Sequence, residues 1–143
     1  MAYASIADFT TAFGRDEAIA LTNLDNPQIE VIGTAMLTKA LDGATALIDG
    51  YLSIAGYTLP ITPAPPILME YCLDIARYKL DRNQARDEVR TRYEDAIAWL
   101  KDVAKGLASL GVDAGGEAVT PDTGGGLYSP GVRVFTRESL KYY

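Results

Sequence analysis

Between residues 5 and 106, apolar side chains recur at gaps of three and four, the spacing of helices with one buried face. Ser5-Ile6-Ala7-Asp8 opens the first such stretch, with Ser5 placed to cap and Asp8 three residues on, in the favourable first turn. Phe9 and Phe13 share a face, and Gly14 closes the helix. Asp16 is the expected cap of a second short helix, Glu17–Thr22, and Asn23-Leu24-Asp25-Asn26-Pro27 reads as a turn cluster. A long helix is expected from about Ile29 to Ala55. Ile29, Ile32, Met36, Leu37, Ala40, Leu41, Ala44, Leu47, Ile48, Tyr51 and Leu52 trace its wide buried stripe. Gly33, Gly43 and Gly50 fall inside it, each costing about 1 kcal/mol against alanine. Such costs point either to close approach between helices or to a start later than Ile29. Gly56 ends the element.

Residues 57–66 contain Pro60, Pro63, Pro65 and Pro66 and are excluded from a helix interior, so they form a rigid, extended connector. The next helix begins at Pro65 or Pro66, good first-turn residues, and runs from Ile67 to about Leu80. Its buried face is Leu68, Tyr71, Cys72, Ile75, Ala76 and Lys79 or Leu80. Asp81-Arg82-Asn83 breaks the chain, with Asn83 as the expected cap of a last helix, about Ala85 to Lys105. Val89, Tyr93, Ala96, Ile97, Leu100 and Val103 or Ala104 line that helix, and Gly106 ends it. Glu88 with Arg92 and Arg90 with Glu94 are i, i+4 pairs on its outer face.

The pattern then changes. Residues 107–143 hold seven glycines and two prolines, and 111–130 reads as a flexible linker able to span about 25 Å as a coil. It is followed by Val132-Arg133-Val134-Phe135-Thr136-Arg137, which alternates as a short strand does. The expected fold is therefore all-α. A small bundle of about four to five helices occupies residues 1–106, and residues 107–143 form a Gly-rich linker and C-terminal docking arm containing a short β-strand.

Composition narrows the function. A chain of 143 residues, 48% hydrophobic and 22% charged, suits one globular domain. A net charge of −6 argues against a general nucleic-acid binder. The charge is uneven: two basic against nine acidic residues in 1–74, but eight against six in 75–106. That asymmetry suits copies meeting front to back, the acidic half of one facing the basic helix of the next. Cys72 is the only cysteine, inside a helical pattern, and is expected as a buried structural thiol. With neither a signal-peptide pattern nor an apolar run long enough to span a membrane, the expectation is a soluble chain made in a reducing cytoplasm.

Catalytic patterns are missing from the sequence. It has no histidine, no Walker loop, no GxGxxG after a strand and no GxSxG, so neither a cofactor nor a metal is expected. Asp87 with Glu88, and Glu94 with Asp95, are sequence neighbours about 100° apart on a helix, hence solvated rather than joint acid–base sites. Asp42 and Asp49 share a face and are the weak candidate for a carboxylate pair. Gly124-Gly125-Gly126 lacks the following helix and lysine of a phosphate cradle. Tyrosine, by contrast, occurs nine times against three phenylalanines and one tryptophan. Tyr71, Tyr78 and Tyr93 with Arg77, Arg82, Arg86, Arg90 and Arg92 gather at the junction of the last two helices. These residue types are enriched at protein interfaces, although tyrosines filling a small core beneath solvated arginines would give the same pattern.

Five stretches, taken in order, resemble the Mu-like phage head–tail connector (neck adaptor) family. They are Ile48-Asp49-Gly50-Tyr51-Leu52; Tyr57-Thr58-Leu59-Pro60 with Pro65-Pro66; Asp74-Ile75-Ala76-Arg77-Tyr78; Arg92-Tyr93-Glu94-Asp95-Ala96; and Phe135-Thr136-Arg137-Glu138-Ser139-Leu140. Residues 23–32 are less acidic than in the family. The resemblance implies a virion neck protein, assembled in the host bacterial cytoplasm. Its helical subunits would form a ring, usually twelve-fold, between the portal protein and a tail-side connector or tail terminator, with DNA passing through the channel. It also implies an arm that reaches a neighbouring component. On this reading Tyr128, Val132, Arg133, Val134, Phe135 and Arg137 dock the arm. Arg77, Arg82, Arg86, Arg90 and Arg92 make inter-subunit or portal contacts. The alternative from the residues alone is a small helical interaction module that forms a low-order oligomer.

Overall fold

The computed structural model describes residues 2–81 and 85–111, within which five helices and no strand form. They are α1 (Ile6–Phe13), α2 (Arg15–Thr22), α3 (Thr34–Ile54), α4 (Pro66–Asp81) and α5 (Asp87–Ala104). The expected linker and strand of residues 112–143 lie outside the described residues, as does the expected cap Asn83.

The capping box at α1 forms as its sequence predicts. The Ser5 hydroxyl accepts from the Asp8 amide at 3.2 Å, and the Asp8 carboxylate accepts from the Ser5 amide at 2.8 Å. Hydrogen bonds from Ser5 hold the Asp8 carboxyl below the usual carboxylate range. Gly14 then does two jobs. Its φ of +89° ends α1, and it serves as the residue before α2, so the chain turns a corner on a single residue. An L side chain rarely adopts that conformation. The cap expected at Asp16 is displaced as a result: α2 starts at Arg15, and Asp16 and Glu17 sit in its first turn.

The long helix starts five residues later than Ile29. Local hydrogen bonds hold 23–33 in turns instead. The Asn23 side chain donates to the Ile19 carbonyl at 2.9 Å and to the Val31 carbonyl at 2.7 Å, and the Thr22 hydroxyl accepts from the Gly33 amide at 2.9 Å. Asn and Thr side chains that bond the backbone in this way compete with helix propagation. Ile29 and Met36, expected in the buried stripe, are exposed, whereas Leu37, Ala40, Leu41, Ala44, Ile48 and Leu52 are buried as the period requires. The three glycines also separate. A Cβ on Gly33 would meet Thr22 at 3.1 Å, one on Gly43 would meet the tip of Lys79, and one on Gly50 would meet nothing within 4 Å. Close packing therefore explains the first, and helix approach does not explain Gly50.

Helices α3, α4 and α5 pack mutually, with α1 and α2 laid across them. Tyr71 meets Trp99 and Tyr78 meets Tyr93, so α4 and α5 run antiparallel. The core draws on every helix: Phe9, Ala18, Leu37, Ile48, Leu68, Ile75, Ala96 and Leu100 all have no exposed surface. Burying each of the larger of these side chains is worth about 1.5–3 kcal/mol. Ile61 pins the proline connector to this core, and Leu110, beyond the end of α5, also joins it. Ahead of α1, the Tyr3 amide donates to the Thr45 hydroxyl at 3.3 Å and the Tyr3 phenol to Asp49 at 2.5 Å, tying the N-terminal segment to α3. Cys72 is buried beside Thr45 and the Leu41 carbonyl, and burial pushes its thiol pKa up, as expected of a structural thiol.

Candidate functional site

The densest group of charges lies where α2 crosses the C-terminal end of α4 and the start of α5. Glu17, in the first turn of α2, accepts from the Arg77 Nε and from an Arg86 Nη, both at 2.6 Å. The Arg77 guanidinium also lies 4.5 Å from the centre of the Phe13 ring, a cation–π contact. Its Nη1 is 3.8 Å from Glu88, which in turn is 3.5 Å from the Arg92 Nε. Arg92 reaches Asp74 at 3.7 Å, and Arg86 reaches Asp81 at 3.9 Å. Three arginines and four carboxylates thus join α1, α2, α4 and α5.

Burial works against the Glu17 carboxylate, yet the hydrogen bonds and charges of Arg77 and Arg86 outweigh it and hold its pKa below the usual carboxylate value. Asp74 goes the other way. Burial pushes its carboxyl up more than Arg92 and Arg77 pull it down. The cluster is therefore structural in geometry: each guanidinium answers a carboxylate of the same subunit.

This bears on the arginines that sequence reasoning selected. Arg77 is buried, 6% exposed, with its guanidinium committed to Glu17 and Phe13. Arg86 and Arg92 are exposed but share in the cluster, and Arg90 is exposed on the outer face of α5. The pair Glu88–Arg92 forms, while among the described residues Arg90 and Glu94 do not pair with each other. Arg82 and the arm residues Tyr128, Val132, Arg133, Val134, Phe135 and Arg137 lie outside the described residues. The tyrosines at this junction meet rings of the other helix: Tyr78 stacks on Tyr93 at 4.1 Å with planes 10° apart, and Tyr71 meets Trp99 at 5.0 Å with planes tilted by 53°. They are half-buried seam residues.

Exposed apolar side chains collect at the two ends of the bundle. At the end holding the start of α3 are Leu24, Ile29, Val31 and Met36; at the end holding the start of α4 are Ile54, Leu59, Met69 and Leu107. The first end is also concave. A hollow of about 310 Å³ lies between α2 and residues 23–29, lined by Ile19, Ala20, Leu24, Pro27 and Ile29. A second of about 420 Å³, lined by Arg15, Asp16, Ile19 and Glu30, adjoins it through Asp16 and Ile19. The sequence pattern does not single out this surface, because Ile29 reads as the first residue of the long helix's buried stripe.

The carboxylate pairs do not converge. Asp42 is exposed, Asp49 is held by the Tyr3 phenol, and Asp87, Glu88, Glu94 and Asp95 all face solvent. Among the described residues, no group of three or more acidic or thiol side chains is placed to hold a metal ion, and no helix is long and apolar enough to cross a membrane.

Known proteins are similar to this chain in sequence. The family model described as Bacteriophage Mu, Gp36 matches residues 3–128, from the N-terminal segment to the beginning of the expected arm. The Mu-like prophage FluMu protein gp36 of Haemophilus influenzae is 38% identical over 105 residues, covering 73% of this chain and 74% of that protein. Gene product J of Escherichia phage Mu is 31% identical over 114 residues, covering 80% of this chain and 79% of that protein.

Proposed function

We propose that this chain, which belongs to the bacteriophage Mu Gp36 family, is the repeating subunit of a head–tail connector ring in the virion neck. As a phage protein of structural or assembly type it carries no catalytic role on this reading. Its work is to join surfaces: identical subunits laterally, the portal protein on one side, and a tail-side connector or terminator on the other. A twelve-fold ring would match the portal and continue the DNA channel.

The observation that carries the reading is the unlike character of the subunit's sides. Residues 1–74 bear a net −7, with Asp8, Asp16, Asp42 and Glu70 on the described surface or partly so. Residues 86–105, by contrast, set the exposed Arg86, Arg90, Arg92, Lys101 and Lys105 among the equally exposed Asp87, Glu88, Glu94, Asp95 and Asp102, a balanced face unlike the acidic one. Rings are built from heterologous contacts between two different, complementary patches, which is the arrangement such a split supplies. An acidic excess also suits a channel wall, since strong phosphate binding would retard DNA. The mechanism is passive: shape, charge pairing and arm docking hold the joint.

Native mass measurement of the full chain, alone and with the portal protein, tests this. A high-order ring that forms on the portal is expected. A stable isolated dimer that ignores the portal would remove the connector reading and leave a small interaction module. Deleting residues 127–143 is expected to leave the helices folded and block assembly onto the neck.

A further inference from the structure

We infer that the hollow over α2 and residues 23–31 is the seat for residues 132–137 of a neighbouring copy of this chain. The inference rests on the ring reading above and adds to it a specific contact. Three properties of the molecule converge on it.

The first is chemical match. The floor of the hollow is apolar, with Ile19, Leu24 and Ile29, and Val31 beside it is 66% exposed. Its rim carries Asp16 and Glu30 with Arg15, two carboxylates to one guanidinium. Across residues 15–31 the sequence has Arg15 alone against Asp16, Glu17, Asp25 and Glu30, and Glu17 is already held by Arg77 and Arg86. Residues 132–137 are the converse: Val132, Val134 and Phe135 interleaved with Arg133 and Arg137, without an acid. An extended peptide places Val132 and Val134 on one side and Arg133, Phe135 and Arg137 on the other. It can therefore lay apolar side chains on the floor and reach the rim carboxylates with guanidinium groups.

The second is discrimination. Another apolar groove near this end, along α3 and α4, is lined by Met36, Ala40 and Leu80 but edged by Lys39 and Lys79. Those cations would repel Arg133 and Arg137. Charge thus selects the α2 hollow over its neighbour.

The third is geometry. The described chain ends at Gly111, beside the far end of α5, whereas the hollow sits at the end where α5 begins. The 18 residues of α5 make these ends about 27 Å apart. The segment between Gly111 and Val132 spans about 25 Å as a coil, enough to leave one subunit and enter the next. A donor end and an acceptor end on opposite poles of one molecule make a head-to-tail contact, which repeats around a ring. Tethering of this kind raises the effective concentration of an otherwise weak segment.

Disulfide trapping in the full-length chain tests the assignment. Ile29→Cys with Val134→Cys is oxidised mildly and read by non-reducing electrophoresis and peptide mass. Circular dichroism confirms the fold, and Cys72 stays buried. The expected result is a covalent ladder of dimers and larger species joined through positions 29 and 134. Ile54→Cys with Val134→Cys, at the opposite pole, and Lys39→Cys with Val134→Cys, beside the cationic groove, are expected to give little ladder. Adding Asp16→Lys and Glu30→Lys to the first pair should cut the ladder about tenfold, and Arg133→Glu with Arg137→Glu should restore it. An intrachain 29–134 link alone, equal trapping by either control pair, or no trapping would each overturn the assignment. Ring formation on the portal by the unsubstituted chain is measured alongside. A ring without the ladder removes only this seat, and a ladder without a ring removes only the connector.

Discussion

Replacing Arg77 by alanine separates two roles that its sequence position allows. A surface contact residue would cost assembly and spare the fold. The structure places its side chain at 8% exposure against Glu17 at 22%, so the expected loss is in the fold. Removing the 2.6 Å charge-assisted hydrogen bond costs about 1.5–3 kcal/mol. Losing the guanidinium 4.5 Å from the Phe13 ring centre costs a further ~0.5–2 kcal/mol. Arg86 stays on Glu17 and limits the penalty of an unpaired carboxylate. The sum is about 3 kcal/mol, which for a domain of this size lowers Tm by roughly 10 °C. Thermal denaturation followed by far-ultraviolet circular dichroism measures it. Arg77→Met, which keeps the apolar stem, should recover about a third of the loss. The cycle of Arg77→Met with Glu17→Gln should show about 1–2 kcal/mol of coupling. If Arg77→Ala melts within about 2 °C of the parent, the cluster does not hold α2 to α4 and the reasoning fails.

Glu17 also sets an acid limb. Its pKa is lowered in the folded state from a reference of 4.5, so its stabilisation is complete above that value and lost as pH falls through the lower folded value. Melting temperature measured from about pH 6 to pH 3 should fall less in Glu17→Gln than in the parent. Gly50→Ala should stabilise by about 1 kcal/mol, because the site is helical and a Cβ there meets nothing within 4 Å; a lower urea midpoint would contradict this. Tyr3→Phe removes the phenol donated to Asp49 and should cost about 1 kcal/mol, with faster amide exchange in residues 2–5 as the local sign.

The helices were legible because their signals are local. The Ser5–Asp8 box, the α4 start at Pro66 and the buried stripes of α4 and α5 follow from spacing within a few residues. The start of α3 was not, because Asn23 and Thr22 bond backbone eight and eleven residues away and stabilise turns that periodicity does not register. The charge cluster was harder still. Glu17 looks like an ordinary first-turn acid, and its partners Arg77 and Arg86 lie 60 and 69 residues along the chain. Arg77 reads as an inter-subunit or portal contact because arginine beside tyrosine is enriched at interfaces, yet its side chain is buried, with the guanidinium over the Phe13 ring. The concave surface over α2 escapes for the same reason as the α3 start: Ile29 and Ile32 count by period toward a helix that does not include them.

Trp99 is the sole tryptophan, and it rests half-buried on Tyr71 at the seam of α4 and α5. That makes the chain its own fluorescent reporter. Emission excited at the red edge comes from one indole at one helix pair, so any event that wedges those two helices apart changes a single spectral band. Seating of the subunit against a tryptophan-free partner can therefore be followed in real time without a dye.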